Sequence, residues 1–140
     1  MDGVIRCIHR LRKYREREAR LELVRAEDEA RTQEARLHAT NASIERSRAT
    51  AGSTSAAEMA RHHTFALRME MVRRREETCL LERQVEVSDR RQEVRRAATD
   101  ARIVELIADS REAAEAEALQ TASNHQLDEL GLQRWWRRTA

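Results

Sequence analysis

Two histidines stand side by side at His62 and His63, Cys7 and Cys79 lie far apart, and 25 carboxylates are spread over 140 residues. Each of these groups could in principle hold a metal ion or move a proton, but their spacing works against it. Neighbouring residues on a helix project about 100° apart, so His62 and His63 cannot grip one ion and read as solvent-exposed histidines. The cysteines fit no zinc, haem or C-x-x-C spacing, which leaves a metal or redox centre without support and suits a reducing compartment. Glycine-rich phosphate loops, nucleophile elbows and the H-E-x-x-H pair are all missing. Carboxylates are plentiful, but a chain of long helices offers them no concave, water-excluding pocket in which to shift their pKa values. Neither enzymatic activity nor a bound cofactor is expected.

Residues that could bind a partner are easier to find. Residues 6–20 hold seven cations (Arg6, Arg10, Arg12, Lys13, Arg15, Arg17, Arg20) against Glu16 and Glu18. Such a stretch can track phosphates, but no aromatic platform or recognition module accompanies it, so a solvated or protein-docking face is expected and nucleic acid is not. Residues 127–138, Leu-Asp-Glu-Leu-Gly-Leu-Gln-Arg-Trp-Trp-Arg-Arg, carry both tryptophans among arginines, and Trp and Arg are the residues most favoured in binding hot spots. Phe65, the single phenylalanine, falls with Met69 and Val72 at i, i+4 and i+7, one face of a helix. That patch either closes a helix–helix seam or presents a binding face.

The elements that position these residues follow from composition. The chain has 3 Gly, no Pro, 3% aromatic and 37% charged residues; tight turns are scarce and large side chains too few for a layered core. Ala, Arg, Glu and Leu dominate, the residues that lose least on entering a helix. The expected fold class is all-α, one antiparallel two-helix coiled-coil hairpin domain over residues 1–140. Net charge is only +2, far from the field of a dedicated nucleic-acid binder. The sequence holds no apolar run of the roughly 20 residues that span a bilayer, and its first residues do not read as a secretion signal. A cytoplasmic protein is expected.

The one break is Ala49-Thr50-Ala51-Gly52-Ser53-Thr54-Ser55, where small and hydroxylated residues surround an isolated glycine. Ser55-Ala56-Ala57-Glu58 then has the form of a capping box. These signals predict a first helix over about 3–50, a turn at 51–55 and a second helix over about 56–134, with lengths of roughly 75 and 110 Å. Before the break Leu23, Ala30, Leu37, Ile44 and Ala51 recur every seven residues, with Ala26, Gln33, Thr40 and Ser47 between them. Further N-terminal the stripe is read through Val4, Ile8 and Leu11 with a one-residue phase shift. After the break Ala66, Arg73, Leu80, Val87, Val94, Ala101 and Ala108 form a second heptad row, accompanied by Met69, Ala97 and Val104. Glu76, Arg83 and Arg90 interrupt the companion row and predict loose packing in the middle. Folding about the midpoint of the break would place Leu37 near Phe65 and Met69, Leu23 near Leu80, Leu11 near Val94 and Val4 near Ala101. Beyond about Val104 the second helix would overhang without a partner.

In three ordered segments the chain resembles the FliJ family of bacterial flagellar type III export proteins and their injectisome stalk counterparts. Ile8-x-x-Leu11-x-x-Tyr14-Arg15-Glu16-Arg17-Glu18-Ala19-x-x-x-Leu23-x-x-Ala26 is similar to the family's opening pattern. Phe65-Ala66-Leu67-Arg68-Met69 resembles its aromatic-then-aliphatic element, and Leu127-Asp128-Glu129 followed by Arg134 resembles its terminal segment. Gly131 and the Trp135–Trp136 pair depart from that pattern. The resemblance implies an antiparallel coiled coil that enters the centre of a hexameric export ATPase, touches the cytoplasmic region of the export gate and handles export chaperones. It would be peripheral to the inner membrane through the gate only. It also implies that Leu11, Arg15, Glu18, Asp128, Glu129 and Arg134 face the ATPase and that Phe65 and Met69 face the gate. Without that resemblance, the residues alone suit a coiled-coil scaffold or adaptor of another system equally well.

Overall fold

A computed structural model describes residues 3–50, 52 and 55–139. All of these but Gly52 and Ser55 lie in two helices, α1 (Gly3–Thr50) and α2 (Ala56–Thr139), so the chain is all-α. Of the expected turn at 51–55, only Gly52 and Ser55 are among the described residues; Ala51, assigned to the seam, is outside them. The start of α2 is capped as its sequence suggests. The Glu58 backbone N–H donates to Ser55 Oγ at 3.2 Å, and the Met59 N–H donates to the Ser55 carbonyl at 3.0 Å. Losing such a cap costs about 1 kcal/mol. Ser55→Ala should therefore lower the thermal midpoint by a few degrees, read by circular dichroism, and Ser55→Asp should restore it.

α2 runs past the predicted stop near 134 to Thr139. Gly131 sits inside the helix with a negative φ and open space around it, so nothing there turns the chain. The last turn is closed by the Thr139 hydroxyl donating to the Trp135 carbonyl at 3.0 Å.

Two units make up the structure. In the unit Glu16–Arg96 the helices pair antiparallel: Gln33 Nε2 donates to the Glu76 carbonyl at 3.2 Å, Arg83 meets Glu29 at 2.6 Å and Arg91 meets Glu27 at 3.0 Å. Ala26, Thr40, Ile44 and Val87 are buried along the seam, with Leu23, Ala30, Leu37, Leu80 and Val94 half-buried beside them. The heptad rows are therefore the packed faces, apart from Ala66, which is exposed. The pairing itself differs from a fold about the midpoint of the break. Leu80 shares a groove with Ala30 rather than sitting opposite Leu23, and Phe65 and Met69 share one with Ile44 rather than Leu37. The register is offset by several residues toward the C-terminal side of α2. A midpoint fold treats both helices as starting level, whereas the heptad rows lock where Ile44 meets Met69 and Ala30 meets Leu80.

In the other unit, residues 3–15 pack against the first part of 97–139. Its core is small: Ile5, Ala101 and Ala108 are buried, Ala101 completely. Arg12 pairs with Asp100 at 2.8 Å. The phase shift read through Val4, Ile8 and Leu11 is not what the structure has, because all three are exposed. The buried or half-buried row continues unshifted through Ile5, His9, Arg12 and, in the other unit, Glu16 and Ala19. Ala97, Ala98, Ala101 and Ala108 present little bulk, so long polar side chains can lie along them and keep their heads at the edge. The Arg102–Glu105 hydrogen bond on the facing helix holds the Glu105 carboxyl below its ordinary range, helped by the charges of Lys13 and His9. A lowered carboxylate stabilises this unit above the ordinary carboxylate range, and that contribution fades as pH falls through its folded pKa.

Candidate docking surfaces

Three surfaces could engage a partner. The first lies near the turn in the Glu16–Arg96 unit. There Phe65, still 43% exposed, and the half-buried Met69 line a groove of about 330 Å³ with Ile44, Ser47, Met59 and His62. Phe65 thus does both of the things its spacing allowed. Phe65 lines the groove beside the buried Ile44 while remaining exposed, whereas Met69 occupies the companion row of the seam. The groove's floor is apolar and its rim is set by Arg48, His63 and Glu70, a pattern suited to an apolar anchor inside a polar border.

The second surface is the basic stretch. Arg12 is engaged by Asp100 and Arg20 by Glu16, which removes two of its cations from phosphate tracking. Leu11 and Arg15, one helical turn apart, are both exposed on the unit they share with 97–139, and Glu18 is exposed in the other unit.

The third surface is α2 beyond Ala108. Every residue over 109–139 is exposed, including Leu119, Leu127, Leu130, Leu132, Trp135 and Trp136. The two indole rings stand edge-to-face with centroids 5.4 Å apart and planes at 79°, a favourable aromatic geometry. The overhang thus begins after Ala108, four residues later than Val104, because the register is offset. Asp128, Glu129 and Arg134 lie here. Asp128 is 28 residues beyond Asp100, the partner of Arg12, which places it about 40 Å further along the helix. Leu11 and Arg15 are therefore not gathered with Asp128, Glu129 and Arg134 into one cluster.

Sequence reading overlooked His9, Arg12 and Glu16 as seam residues, although stepping back by sevens from Leu23 and Ala26 reaches all three. It also overlooked the groove formed by Ile44, Met59 and His62. In the middle of the Glu16–Arg96 unit an open groove of about 550 Å³ runs between Ala30 and Leu80, Gln84 and Val87, and Glu76 Oε2 is buried without a hydrogen-bond partner among the described residues. No group of three or more histidine, cysteine, aspartate or glutamate side chains among the described residues could hold a metal ion, and none of the described helices is long and apolar enough to cross a membrane. Comparison of the chain with protein-family models, with curated proteins and with solved structures finds no match.

Proposed function

We propose that this chain is the non-catalytic stalk of a bacterial flagellar or type III protein export apparatus. In this role it inserts into the export ATPase hexamer, promotes its assembly and turnover, and links it to the export gate and to export chaperones. The observation that carries the proposal is the overhang. A helical segment over 109–139, exposed at every residue yet bearing three leucines and two tryptophans within 127–136, has no cover among the described residues. Isolated helices are marginal in water, so such a segment gains order by docking. The FliJ-like segments supply the identity of the partner.

A helix that enters a ring acts by touching subunits unequally. Differential binding then shifts their conformational populations, and no chemistry is required of the stalk itself. Asp128, Glu129 and Arg134 on the overhang, with Leu11, Arg15 and Glu18 on α1, would meet the ATPase. Phe65 and Met69 would meet the gate, which places the protein at the cytoplasmic side of the inner membrane, peripheral to it. The function is tested by the turnover of the cognate export ATPase with and without this chain.

The tip offers a separate check. Phe65→Ala removes a half-exposed ring from the groove, and loss of such an anchor typically costs 2 kcal/mol or more. Binding to the isolated cytoplasmic domain of the gate should weaken about 30-fold, with helicity retained. If helicity and melting fall as far as binding does, Phe65 is a seam residue and not a gate contact.

A further inference from the structure

The overhang carries a second pattern, of which the stalk reading uses only Arg134. Asp109, Glu112, Ala116, Leu119, Ser123, Leu127, Leu130, Arg134 and Arg137 are separated by three, four, three, four, four, three, four and three residues. The series reads the same in both directions about Ser123. At 100° per residue all nine fall within about 80° of one another on the helix, the width of a coiled-coil seam. All nine are exposed, with Leu119 at 73%, Leu127 at 63% and Leu130 at 55%. This stripe is not a continuation of the packed row through Ala101, Val104 and Ala108, because its phase changes by one residue at Asp109. Helix α2 thus has one face for residues 3–15 and, beyond Ala108, a different face for something else.

We propose that this face pairs with the same face of a second copy of the chain, antiparallel and centred on Ser123. A two-fold axis there brings each position onto a complementary one. Asp109 meets Arg137 and Glu112 meets Arg134, so that each end of the pair carries two opposite-charge contacts. Ala116 meets Leu130, a small residue against a large one, and Leu119 meets Leu127. Ser123 meets itself at the axis. The overlap is 29 residues, about 42 Å of helix. Such an isologous interface closes on itself and stops at two copies. Charge decides in favour of a second copy over an unrelated helix. Over 109–122 the segment carries Asp109, Glu112, Glu115 and Glu117 against Arg111, and over 124–139 it carries Arg134, Arg137 and Arg138 against Asp128 and Glu129, an acidic-to-basic gradient that an antiparallel self-pair needs and a parallel one would oppose. Asp128, Trp135 and Trp136 point away from the seam and stay available in the dimer. The proposal does not rest on the export reading, since the chain alone supplies both sides.

The test uses the full chain in sedimentation equilibrium at moderate salt. The native protein should be a reversible dimer. Glu112→Arg alone and Arg134→Glu alone each place like charges at both ends of the seam and should each raise the dissociation constant about tenfold or more. An equimolar mixture of the two variants should recover native-like association, because only the mixed dimer restores both contacts. These positions are exposed, so circular dichroism should show unchanged helicity in every sample. A Ser123→Cys variant lacking Cys7 and Cys79 should form an intermolecular disulfide across the axis. A native chain that stays monomeric at about 100 µM would overturn the proposal. Variants that dimerise as well as the native chain, or a mixture with no preference for the mixed dimer, would overturn it too.

Discussion

Val87→Asp should unzip the Glu16–Arg96 unit, lowering stability by about 3–5 kcal/mol and the thermal midpoint by about 10–17 °C. Val87 is one of the few branched aliphatic side chains the chain manages to bury, so removing it loses about 1.5–3 kcal/mol of transfer free energy before any charge is counted. An unpaired carboxylate at the same place adds its own desolvation cost. Rescue by neighbours is limited. Arg83 and Arg91, one turn before and one turn after, are held across the seam by Glu29 and Glu27, and turning either toward the new carboxylate breaks an existing pair. Val87→Thr, of the same shape but uncharged, should cost only about 1–2 kcal/mol. Circular dichroism melts of the three proteins distinguish the two effects. An unchanged midpoint for Val87→Asp would mean that the heptad row is not the packed face.

The second large effect concerns the overhang. A chain ending at Asp109 should lose all stimulation of the export ATPase, and its apparent affinity for the ring should fall by more than about 100-fold, since two tryptophans and their arginine neighbours leave together. At a concentration where the native chain is monomeric, its melting midpoint should move by no more than about two degrees. No described residue beyond Ala108 is buried, so the truncation removes no contact packed within the single chain. Loss of stability on truncation would show that the segment is part of the folded core, and retained stimulation would show that docking uses another surface.

Much of the fold was legible because helical periodicity is a strong signal in a chain without proline. Both helices, the Ser55 cap and the heptad rows through Leu23 and Val87 were readable from residue types and spacing alone. The N-terminal row was misread because apolar character was followed in preference to the seven-residue step. Val4, Ile8 and Leu11 are the more apolar residues, but the facing alanines let His9 and Arg12 occupy the seam. The register was misread because a turn's midpoint says little about how far each helix extends around it, whereas side-chain interlocking settles the offset. The docking residues were legible only as exposed apolar types at the end of α2. Their partner is not encoded in periodicity or burial, and so the export assignment stands on the three FliJ-like segments together with an uncovered helix.

The most direct test is ATP hydrolysis by the purified cognate export ATPase, measured with and without this protein while light scattering follows ring assembly. A several-fold rise in turnover that accompanies hexamer formation, and that disappears with the chain ending at Asp109, is the predicted result. Unchanged turnover and assembly, with no complex between the two proteins, would contradict the stalk role and leave a coiled-coil adaptor of another system in its place.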